Sequence, residues 1–470
     1  MNDAIEKVLE SYSGAVVASG QGVHIHDMAV VRSPATDEVV RAAAFGSEES
    51  KEAARWVLWE MAQAAGVRPA SIHDLYLSRG RGECSGFTVP AINIRMLAYD
   101  TARAVFRVAR ARNAGAILLE IARSEIAYTD QRPGEYVAVV LGAAMREGYD
   151  LPVFIQGDHC QVNHKKYQAD PEGEVGEVKT LIAEEIAAGF YNIDIDTSTL
   201  VDLTQETLDE QQRANYERAA ELTAFIRGQE PEGVTVSVGA EIGEVGAKNS
   251  TVEELHAFMA GYNRTLATLP GDLVGISKIS VQTGTSHGGV VLPDGTIAEV
   301  KLDIEALEAL STAARDYGMG GAVQHGASTL PPNAFGNFPR VETVEIHLAT
   351  NFQNIVYDHP ALPADLRSRV LSWLDTNATG DRKADDTEEQ FHYRARKRAI
   401  GPFKEEFWTL PESTRDAISA DLEQTFDFLF EQLGVTETAD LVRRVIRAPL
   451  QHRATLAKVG IATDDADAGE

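Results

Sequence analysis

Eight short apolar segments alternate with helical stretches through the middle of the chain, and this alternation constrains the fold more than any other feature. In order, the segments are GFTVPAINI, GAILLEIA, LPVFIQGDH, FYNIDID, VTVSVGAEIG, VGISKISVQTG, GAVQHG and VEIHLAT. Buried strands separated by helices are typical of parallel βα repeats. Eight such units over about 250 residues predict a (β/α)8 barrel.

The regions on either side of this series have a different pattern. Residues 1–70 combine an opening helix, a strand-rich stretch and an amphipathic helix, which predicts a small α/β extension. Residues 71–360 hold the barrel, and residues 361–460 are charged and helical. Residues 461–470 are polar and acidic, and we expect them to form a disordered tail.

The composition excludes several classes of protein. The formal net charge of −28 disfavours a nucleic-acid partner, because an acidic surface repels phosphate backbones. No apolar run reaches the length of about 18 residues that a membrane span needs. The N-terminus does not resemble a secretory signal, and the two cysteines argue against a disulfide framework. These features predict a cytoplasmic protein.

Polar side chains stand at the carboxyl ends of successive predicted strands, about one βα unit apart. In barrel enzymes these ends point toward one mouth of the barrel, where the chemistry takes place. Imidazoles and carboxylates that converge there are typical ligands of zinc or a similar divalent cation. The candidates are Asp158, His159, Asp196, Glu241, His287 and His325.

Glycines and hydroxyls follow the last of these strands and predict an anion site. Gly288 follows His287, while Gly326 and Ser328 follow His325. Glycine lets backbone N–H groups approach an anion closely. Thr350 adds a hydroxyl after the eighth strand, and phosphate sites favour the last two loops of such barrels.

Two further motifs have competing interpretations. His24 and His26 form an H-x-H pair whose side chains would face the same side of a strand, as in metal-dependent hydrolase barrels. They precede the eight-strand series, so we interpret them as one polar face of a strand. The basic cluster RARKR at 394–398 is most simply a solvated helix face, and its alternative is a phosphate contact.

The order and spacing of these blocks resemble the class II, metal-dependent fructose/tagatose-bisphosphate aldolases over roughly residues 70–410. The resemblance rests on FTVPAIN, GDH, IDTSTL, AEIG, GTSHG, HGAS and HLATNFQN. It implies Zn²⁺ or another divalent cation bound by His159, His287 and His325, with Glu241 and Asp196 as additional or alternate ligands. It also implies Asp158 as the acid that serves the aldehyde oxygen, and a homo-oligomer. The implied substrate and phosphate contacts are Asn93, Gly288, Gly326, Ala327, Ser328 and Thr350.

The family resemblance implies an activity in carbohydrate metabolism such as glycolysis. The implied activity is the reversible aldol cleavage of a phosphorylated ketose to dihydroxyacetone phosphate and an aldehyde. This reaction passes through an enediolate that the cation stabilises. The sequence departs from the family at Gly239, Asn249 and His347. Asn249 replaces the loop carboxylate that moves the enolising proton, so Glu244 or His347 has to take this role. We favour His347, because strand ends are held more rigidly than loops.

Two other functions remain open from the sequence. The accessory subunit of tagatose-bisphosphate aldolase has a similar barrel and a similar G-D-H motif, and it is not catalytic. The presence here of Glu241 and of all three histidines favours catalysis. A metal-dependent hydrolase barrel would require His24 and His26 in the site.

Overall fold

The chain is described by a computed structural model that covers residues 3–20, 22–243, 248–284 and 302–454. An antiparallel pair of strands comes first, followed by a short strand and then by the eight segments that the alternation predicts. In chain order the strands are β1 Val16–Ser19, β2 Gly22–Ile25, β3 Pro69–Ala70, β4 Val89–Asn93, β5 Leu118–Ala122, β6 Val153–Gln161, β7 Asn192–Asp196, β8 Ser237–Glu241, β9 Lys278–Val281, β10 Ala322–Gln324 and β11 Glu345–Leu348.

Helices fill most of the remaining chain. Up to β9 they are α1 Asp3–Glu10, α2 Met28–Val31, α3 Pro34–Phe45, α4 Glu48–Ala65, α5 His73–Gly80, α6 Ala98–Ala111, α7 Arg123–Thr129, α8 Pro133–Glu147, α9 His164–Ala169, α10 Pro171–Ala188, α11 Leu208–Gln229 and α12 Val252–Leu266. After β9 they are α13 Ile304–Asp316, α14 Asn337–Arg340, α15 Thr350–Asp358, α16 Ala364–Asn377, α17 Glu388–Ala395, α18 Lys404–Trp408, α19 Glu412–Gln432 and α20 Ala439–Val445. None of these helices has the length and apolar character needed to cross a bilayer.

Strands β4 to β11 form a closed parallel barrel. Each strand pairs with the next in the chain, and β11 closes the ring by pairing with β4. The short strand β3 pairs with β6 in addition to the ring. The barrel strands are buried along almost their whole length, as expected for parallel strands that are covered on both faces. The prediction of a (β/α)8 barrel with added helices is therefore confirmed.

Local sequence signals explain where the barrel helices begin and end. Thr207 and Thr251 accept hydrogen bonds from the backbone of Glu210 and Glu254, and both glutamates complete capping boxes at the starts of α11 and α12. Gly189 ends α10 in the left-handed conformation, with φ of 111°, which glycine adopts without a steric penalty. The Gly189 cap fixes the short turn that leads into β7, and the two capping boxes fix where α11 and α12 begin after β7 and β8.

The two ends of the described chain contact each other outside the barrel. The indole N–H of Trp59 in α4 donates a hydrogen bond of 2.6 Å to the carbonyl of Gln451. The guanidinium of Arg453 stacks over the Trp59 ring, and His452 contacts the buried carboxylate of Glu60. The division into segments 1–70, 71–360 and 361–460 stays a prediction, and the predicted tail 461–470 lies outside the described residues.

The contact between α3 and α8 depends on one glycine. A Cβ added at Gly142 would lie 2.3 Å from Cγ2 of Val40, whose side chain is fully buried. We expect Gly142→Ala to lower the free energy of unfolding by about 1–3 kcal/mol, because overpacking a filled core forces neighbours apart. Urea unfolding measures this difference.

The matched control is Gly134→Ala, also in α8, where an added Cβ meets nothing within 4 Å. That change should be neutral or stabilising by up to about 1 kcal/mol, since alanine favours the helix. The double variant Val40→Ala, Gly142→Ala should recover part of the loss. Equal effects of the two single glycine variants would contradict the packing account.

Candidate active site

Most of the predicted site residues that the structure describes lie at or just beyond the carboxyl ends of the barrel strands. Asp158 and His159 lie near the end of β6, Asp196 ends β7 and Glu241 ends β8. His325 directly follows β10, and His347 lies in β11. Because parallel strands end at one mouth of a barrel, these side chains converge although they are far apart in sequence.

Three of these side chains form a group that could hold a metal ion. Ligand atoms of His159, Glu241 and His325 lie within 4.8 Å of one another. Nδ1 of His159 lies 3.5 Å from the Glu241 carboxylate and 3.2 Å from the Asp196 carboxylate. Two imidazoles and one or two carboxylates are a donor set that suits zinc, cobalt or manganese.

Asp196 has contacts of a different kind. Its Oδ1 accepts hydrogen bonds from the backbone N–H and the hydroxyl of Ser198, the latter at 2.7 Å. Its Oδ2 accepts a hydrogen bond from the side-chain amide of Gln161 and lies against the imidazole of His159. A carboxylate held in this way on the imidazole of a metal ligand fixes the orientation of the ring. A role as ligand for Asp196 remains a prediction.

His347 lies beside this group and contacts the acid that the sequence predicts. Its Nδ1 is 3.1 Å from the Asp158 carboxylate and 3.1 Å from the Glu120 carboxylate. Its Nε2 is 2.8 Å from Glu345. The rings of His325 and His347 are 4.0 Å apart between centroids, so the proton-transfer candidates adjoin the metal-ligand candidates.

A buried lysine lies one layer deeper in the barrel. The Nζ of Lys278 is fully buried and donates to Gln156 at 2.7 Å, to Asp194 at 2.9 Å and to Glu345. Tyr76 donates its hydroxyl proton to the same Glu345 carboxylate. The ammonium thus neutralises carboxylates that would be costly to bury alone.

Gly239 makes room for this lysine. A Cβ at Gly239 would lie 2.3 Å from Oδ1 of Asp194 and 2.9 Å from Cε of Lys278. A glutamate side chain at this position would therefore collide with the pair. The departure from the family pattern at Gly239 has a steric reason, because Asp194 and Lys278 fill the space.

The pKa values follow from burial and from the crowding of charges. Burial, aided by the Asp158 carboxylate, raises the pKa of Glu120 to about 7, and burial raises that of Asp194 to about 6 in spite of Lys278. Burial and the Asp196 carboxylate raise the pKa of Glu241 well above its usual value. Burial alone would lower the pKa of His347, but Glu120 and Asp158 raise it well above its usual value.

Buried carboxyl groups outnumber the described cationic groups inside the barrel, which are Lys278 and the imidazoles of His159 and His347, whose pKa values the neighbouring carboxylates raise. Six carboxyl groups are buried there, and Lys278 supplies the one Lys or Arg nitrogen within salt-bridge distance of them in the described ranges. An excess of buried negative charge favours a bound cation. The carboxyl groups belong to Glu120, Asp158, Asp194, Asp196, Glu241 and Glu345.

A cavity of about 790 Å³ opens above these groups. Its wall contains basic side chains from the barrel loops and from the helical C-terminal part, which contrasts with the acidic charge of the whole chain. Lys397 is half-buried, and it forms no salt bridge with a described carboxylate. Burial and Arg95 lower the pKa of Lys397. The basic side chains are Arg95, Arg123, Lys166, Lys383, Arg394 and Lys397.

This wall changes the interpretation of the RARKR cluster. The sequence favours a solvated helix face, but Arg394 and Lys397 line the cavity, and Arg396 is buried against Asp358. The reason is that the cluster spans the end of α17 and a tight 3₁₀ turn, Arg396–Ala399, which point its side chains in several directions.

Four of the predicted substrate and phosphate contacts, Asn93, Gly326, Ser328 and Thr350, line the same cavity. Gly326 has φ of 69° and precedes a 3₁₀ turn that contains Ala327, and the Ser328 hydroxyl accepts from the backbone N–H of Ala349 at 2.7 Å. Thr350 begins α15 rather than ending a strand, so the N-terminus of a helix faces the cavity there. Asn93 donates to Glu125 at 2.5 Å and also lines the cavity.

Three of the predicted site residues lie outside the described ranges, and the two histidines of the H-x-H pair do not line the cavity. His287, Gly288 and Glu244 lie outside the described residues. His24 and His26 are exposed in β2 and the turn after it, with their rings 4.5 Å apart. Neither belongs to a metal-ligand group found in the described part of the chain.

Sequence reasoning missed Glu120, Asp194, Lys278 and Glu345. Each is a charged residue inside an otherwise apolar strand segment, and such residues are costly to bury without a partner. Glu345 and Asp194 each precede a predicted site residue by two positions, which places both members of the pair on the same face of the strand. That spacing is the signal that would have found them.

The model of the family described as "Fructose-bisphosphate aldolase class-II" matches residues 81–400. The chain belongs to this family. The match covers the barrel and the part of the C-terminal helices that carries Arg394 and Lys397. The resemblance stated from the strand-end motifs is confirmed.

Solved structures of other proteins are similar to this chain at low sequence identity. The fructuronate-tagaturonate epimerase of Cohnella laeviribosi is similar over 90% of this chain and 90% of its own, with 14% identity and a TM-score of 0.54. The fructose-bisphosphate aldolase of Campylobacter jejuni is 16% identical over 79% of this chain and 98% of its own, with a TM-score of 0.48. The YdjI aldolase of Escherichia coli K12 is 12% identical over 79% and 99%, with the same TM-score of 0.48.

The Lys278 network yields a stability prediction. Lys278→Met keeps the length of the side chain but removes the charge that balances Asp194 and Glu345. We expect a loss of about 3–5 kcal/mol in the free energy of unfolding, because the remaining carboxylates stay buried without a cation. Urea unfolding of the purified variant measures it.

Lys51→Met is the matched control, since Lys51 pairs with the exposed Glu48 on the surface. Loss of such a surface pair should cost at most about 1 kcal/mol. Adding Glu345→Gln to Lys278→Met should restore part of the stability. A Lys278→Met variant as stable as the Lys51 control would show that the network is not needed.

Proposed function

We propose that the chain is a metal-dependent aldolase that cleaves a phosphorylated ketose reversibly to dihydroxyacetone phosphate and an aldehyde. The observation that carries the proposal is the group of His159, Glu241 and His325 at the mouth of a barrel that belongs to the class II aldolase family. The ketose would resemble fructose or tagatose bisphosphate. Enzymes of this kind need an electron sink for the carbanion that bond cleavage leaves behind.

The donor atoms fit a divalent cation such as Zn²⁺. His159, Glu241 and His325 would hold it, and Asp196 would orient the His159 ring. His287, which the family resemblance implies as a further ligand, completes the proposed set. When bound there, the cation supplies a Lewis acid that stabilises negative charge on an oxygen of the ketose. The unbalanced carboxylates around the group support this assignment.

Asp158 and His347 would move the protons. Cleavage of the carbon–carbon bond takes a proton from the hydroxyl that becomes the aldehyde oxygen, and the reverse reaction returns it. Asp158 would serve that hydroxyl. His347 lies within 3.1 Å of Asp158 and can exchange a proton with it. The family's loop carboxylate corresponds here to Asn249, whose amide donates to Asp303 and cannot act as a base. His347 or Glu244 remains the proposed enolising base. Because Glu120 and Asp158 raise the pKa of His347, the imidazole would first have to pass its proton to one of these carboxylates before it could act as a base.

The cavity wall would bind anionic groups of the substrate. The N-terminus of α15 offers backbone N–H groups beside the Ser328 and Thr350 hydroxyls, an arrangement that favours phosphate. Lys397 and Arg95 lie on the same wall and would bind a second anionic group. Four of the six basic side chains on this wall pair with carboxylates, whereas Lys383 and Lys397 form no salt bridge with a described residue, and these two lysines support a negatively charged ligand.

Retro-aldol cleavage is the direct test. The enzyme is incubated with ketose mono- and bisphosphates, and release of triose phosphate is measured before chelation, after chelation and after zinc is restored. We expect activity to disappear on chelation and to return with zinc, cobalt or manganese. His325→Ala should be inactive, whereas His24→Ala should keep full activity. Full cleavage by the chelated, metal-free enzyme would refute the proposal.

Lys397 gives a separate test of substrate charge. Lys397→Met should raise KM for a phosphorylated ketose by about tenfold or more while kcat changes little, because a charge-assisted contact to substrate is worth about 1.5–3 kcal/mol. Steady-state kinetics measures both constants. Lys51→Met is the control, since Lys51 lies on the surface in a pair with Glu48. An unchanged KM would remove Lys397 from the proposed binding site.

Epimerisation of a ketose acid is the second candidate. The observation that favours it is the similarity to the Cohnella laeviribosi epimerase, which extends beyond residues 81–400 to 90% of both chains. A sugar can change configuration by aldol cleavage, rotation of the aldehyde and re-addition, so the same acid–base groups serve both reactions. Incubation with fructuronate separates them, because an epimerase forms tagaturonate and releases no triose.

The remaining expectations belong to this proposal. We propose a homo-oligomer that acts in the cytoplasm without nucleic-acid or membrane partners. The accessory-subunit alternative predicts no cleavage by the purified chain with any of the substrates above. The hydrolase alternative predicts that the activity is a metal-dependent hydrolysis, and that His24→Ala, rather than His325→Ala, removes it.

A further inference from the structure

Asp158 and His159 are neighbours in one strand, yet both lie in the site. Successive side chains of a regular strand point to opposite faces, so only one of the two would face the barrel mouth. The pairing of β6 with β7 changes here: Gly157 lies opposite Ile193, and Cys160 lies opposite Ile195. One extra residue on β6 forms a β-bulge, which re-aims a side chain.

The bulge requires an unfavourable backbone conformation at His159. Its φ is 43°, in the left-handed region that residues with a Cβ rarely adopt. This conformation turns the imidazole toward Glu241 and His325. Some neighbouring group must therefore favour the bulge over regular pairing.

Glu185 of α10 fills the space directly behind the bulge. Its side chain is fully buried, and its Oε2 lies 2.4 Å from the position that a Cβ at Gly157 would take, which is too close for a Cβ to fit. The thiol of Cys160 donates to the same oxygen at 3.3 Å. Glu185 thus contacts the residues at both ends of the bulge, whereas Asp158 and His159 project to the other side.

The protonation of Glu185 is consistent with a packing role. Burial raises the pKa of Glu185 to about 8, so the group carries a proton at neutral pH. A neutral carboxylic acid can be buried behind the barrel wall at a lower cost than a carboxylate. Its shape and hydrogen bonding, rather than its charge, are then what the bulge requires.

We propose that Glu185 is a positioning residue that keeps the β6 bulge in the form that presents Asp158 and His159 together to the metal site. The inference rests on the proposed function, in which His159 is a metal ligand. Without the Glu185 side chain, a gap lies behind Gly157, and β6 can relax toward regular pairing. His159 would then turn away from Glu241 and His325.

The test is cobalt binding, because the visible absorption of bound Co²⁺ reports the geometry and number of its ligands. Apo-enzyme of wild type, Glu185→Ala, Glu185→Gln and Glu184→Ala is titrated with Co²⁺. Glu184 is the matched control, since it neighbours Glu185 in α10 but pairs with Arg132 at the surface. We expect Glu185→Ala to weaken Co²⁺ binding by about tenfold or more and to change the spectrum, as removal of a supporting contact does in other metal sites.

The other variants separate shape from charge. Glu185→Gln keeps the shape and is neutral, so it should match the wild-type affinity and spectrum, as should Glu184→Ala. Gly157→Ala should change the spectrum, because its methyl group collides with Glu185, and the double variant Gly157→Ala, Glu185→Ala should relieve that collision. If Glu185→Ala does not fold, Glu185→Asp, which withdraws the carboxyl from Gly157, takes its place in the comparison.

The outcomes distinguish this inference from the proposed function. If wild type binds no Co²⁺, the metal site itself is refuted. If wild type binds Co²⁺ and Glu185→Ala keeps the same affinity and spectrum, Glu185 is not a positioning residue. A loss in Glu185→Gln equal to that in Glu185→Ala would also refute the inference, because shape would then not be the property that matters.

Discussion

The ion pair that Lys278 makes with Asp194 and Glu345 supports the whole site from below. Its ammonium lies in the barrel interior, where a charge without a partner would be costly. Glu345 in turn contacts His347, which contacts Asp158 and Glu120. The charged network thus runs from the closed interior of the barrel to the groups that adjoin the metal-ligand candidates, and it restricts how those groups can move.

The network also bears on the divalent cation of the proposed function. Lys278 balances the deep carboxylates, but its Nζ contacts none of Asp158, Asp196 and Glu241 within salt-bridge distance. Those groups lie at the mouth beside His159 and His325, below the cavity, where the proposed divalent cation would bind. In the proposed function, the barrel would thus keep the permanent charge of Lys278 apart from the exchangeable charge of the metal ion, and the small size of Gly239 leaves room for Lys278.

The sequence was sufficient for the barrel and for the convergence of the strand ends. Strand and helix periods predict the eight βα units, and the position of a side chain at a strand end predicts that it meets its counterparts on neighbouring strands. The deeper network could not be predicted in the same way, because Lys278 and Glu345 occupy positions that normally carry apolar residues. The roles of Arg394 and Lys397 depend on how the C-terminal helices fold over the mouth, which local sequence does not encode. The bulge at His159 depends on a contact with α10 and has no signal in β6 alone.

Anomalous X-ray diffraction from crystals of the zinc-loaded enzyme, collected on both sides of the zinc absorption edge, tests the central claim most directly. The account predicts one zinc peak per chain, at about 2.0–2.2 Å from nitrogen atoms of His159 and His325 and from a Glu241 oxygen. It predicts that Lys278 keeps its contacts with Asp194 and Glu345 in the same crystal. The absence of a peak at this mouth, or a peak only between Asp194 and Glu345, would contradict the account.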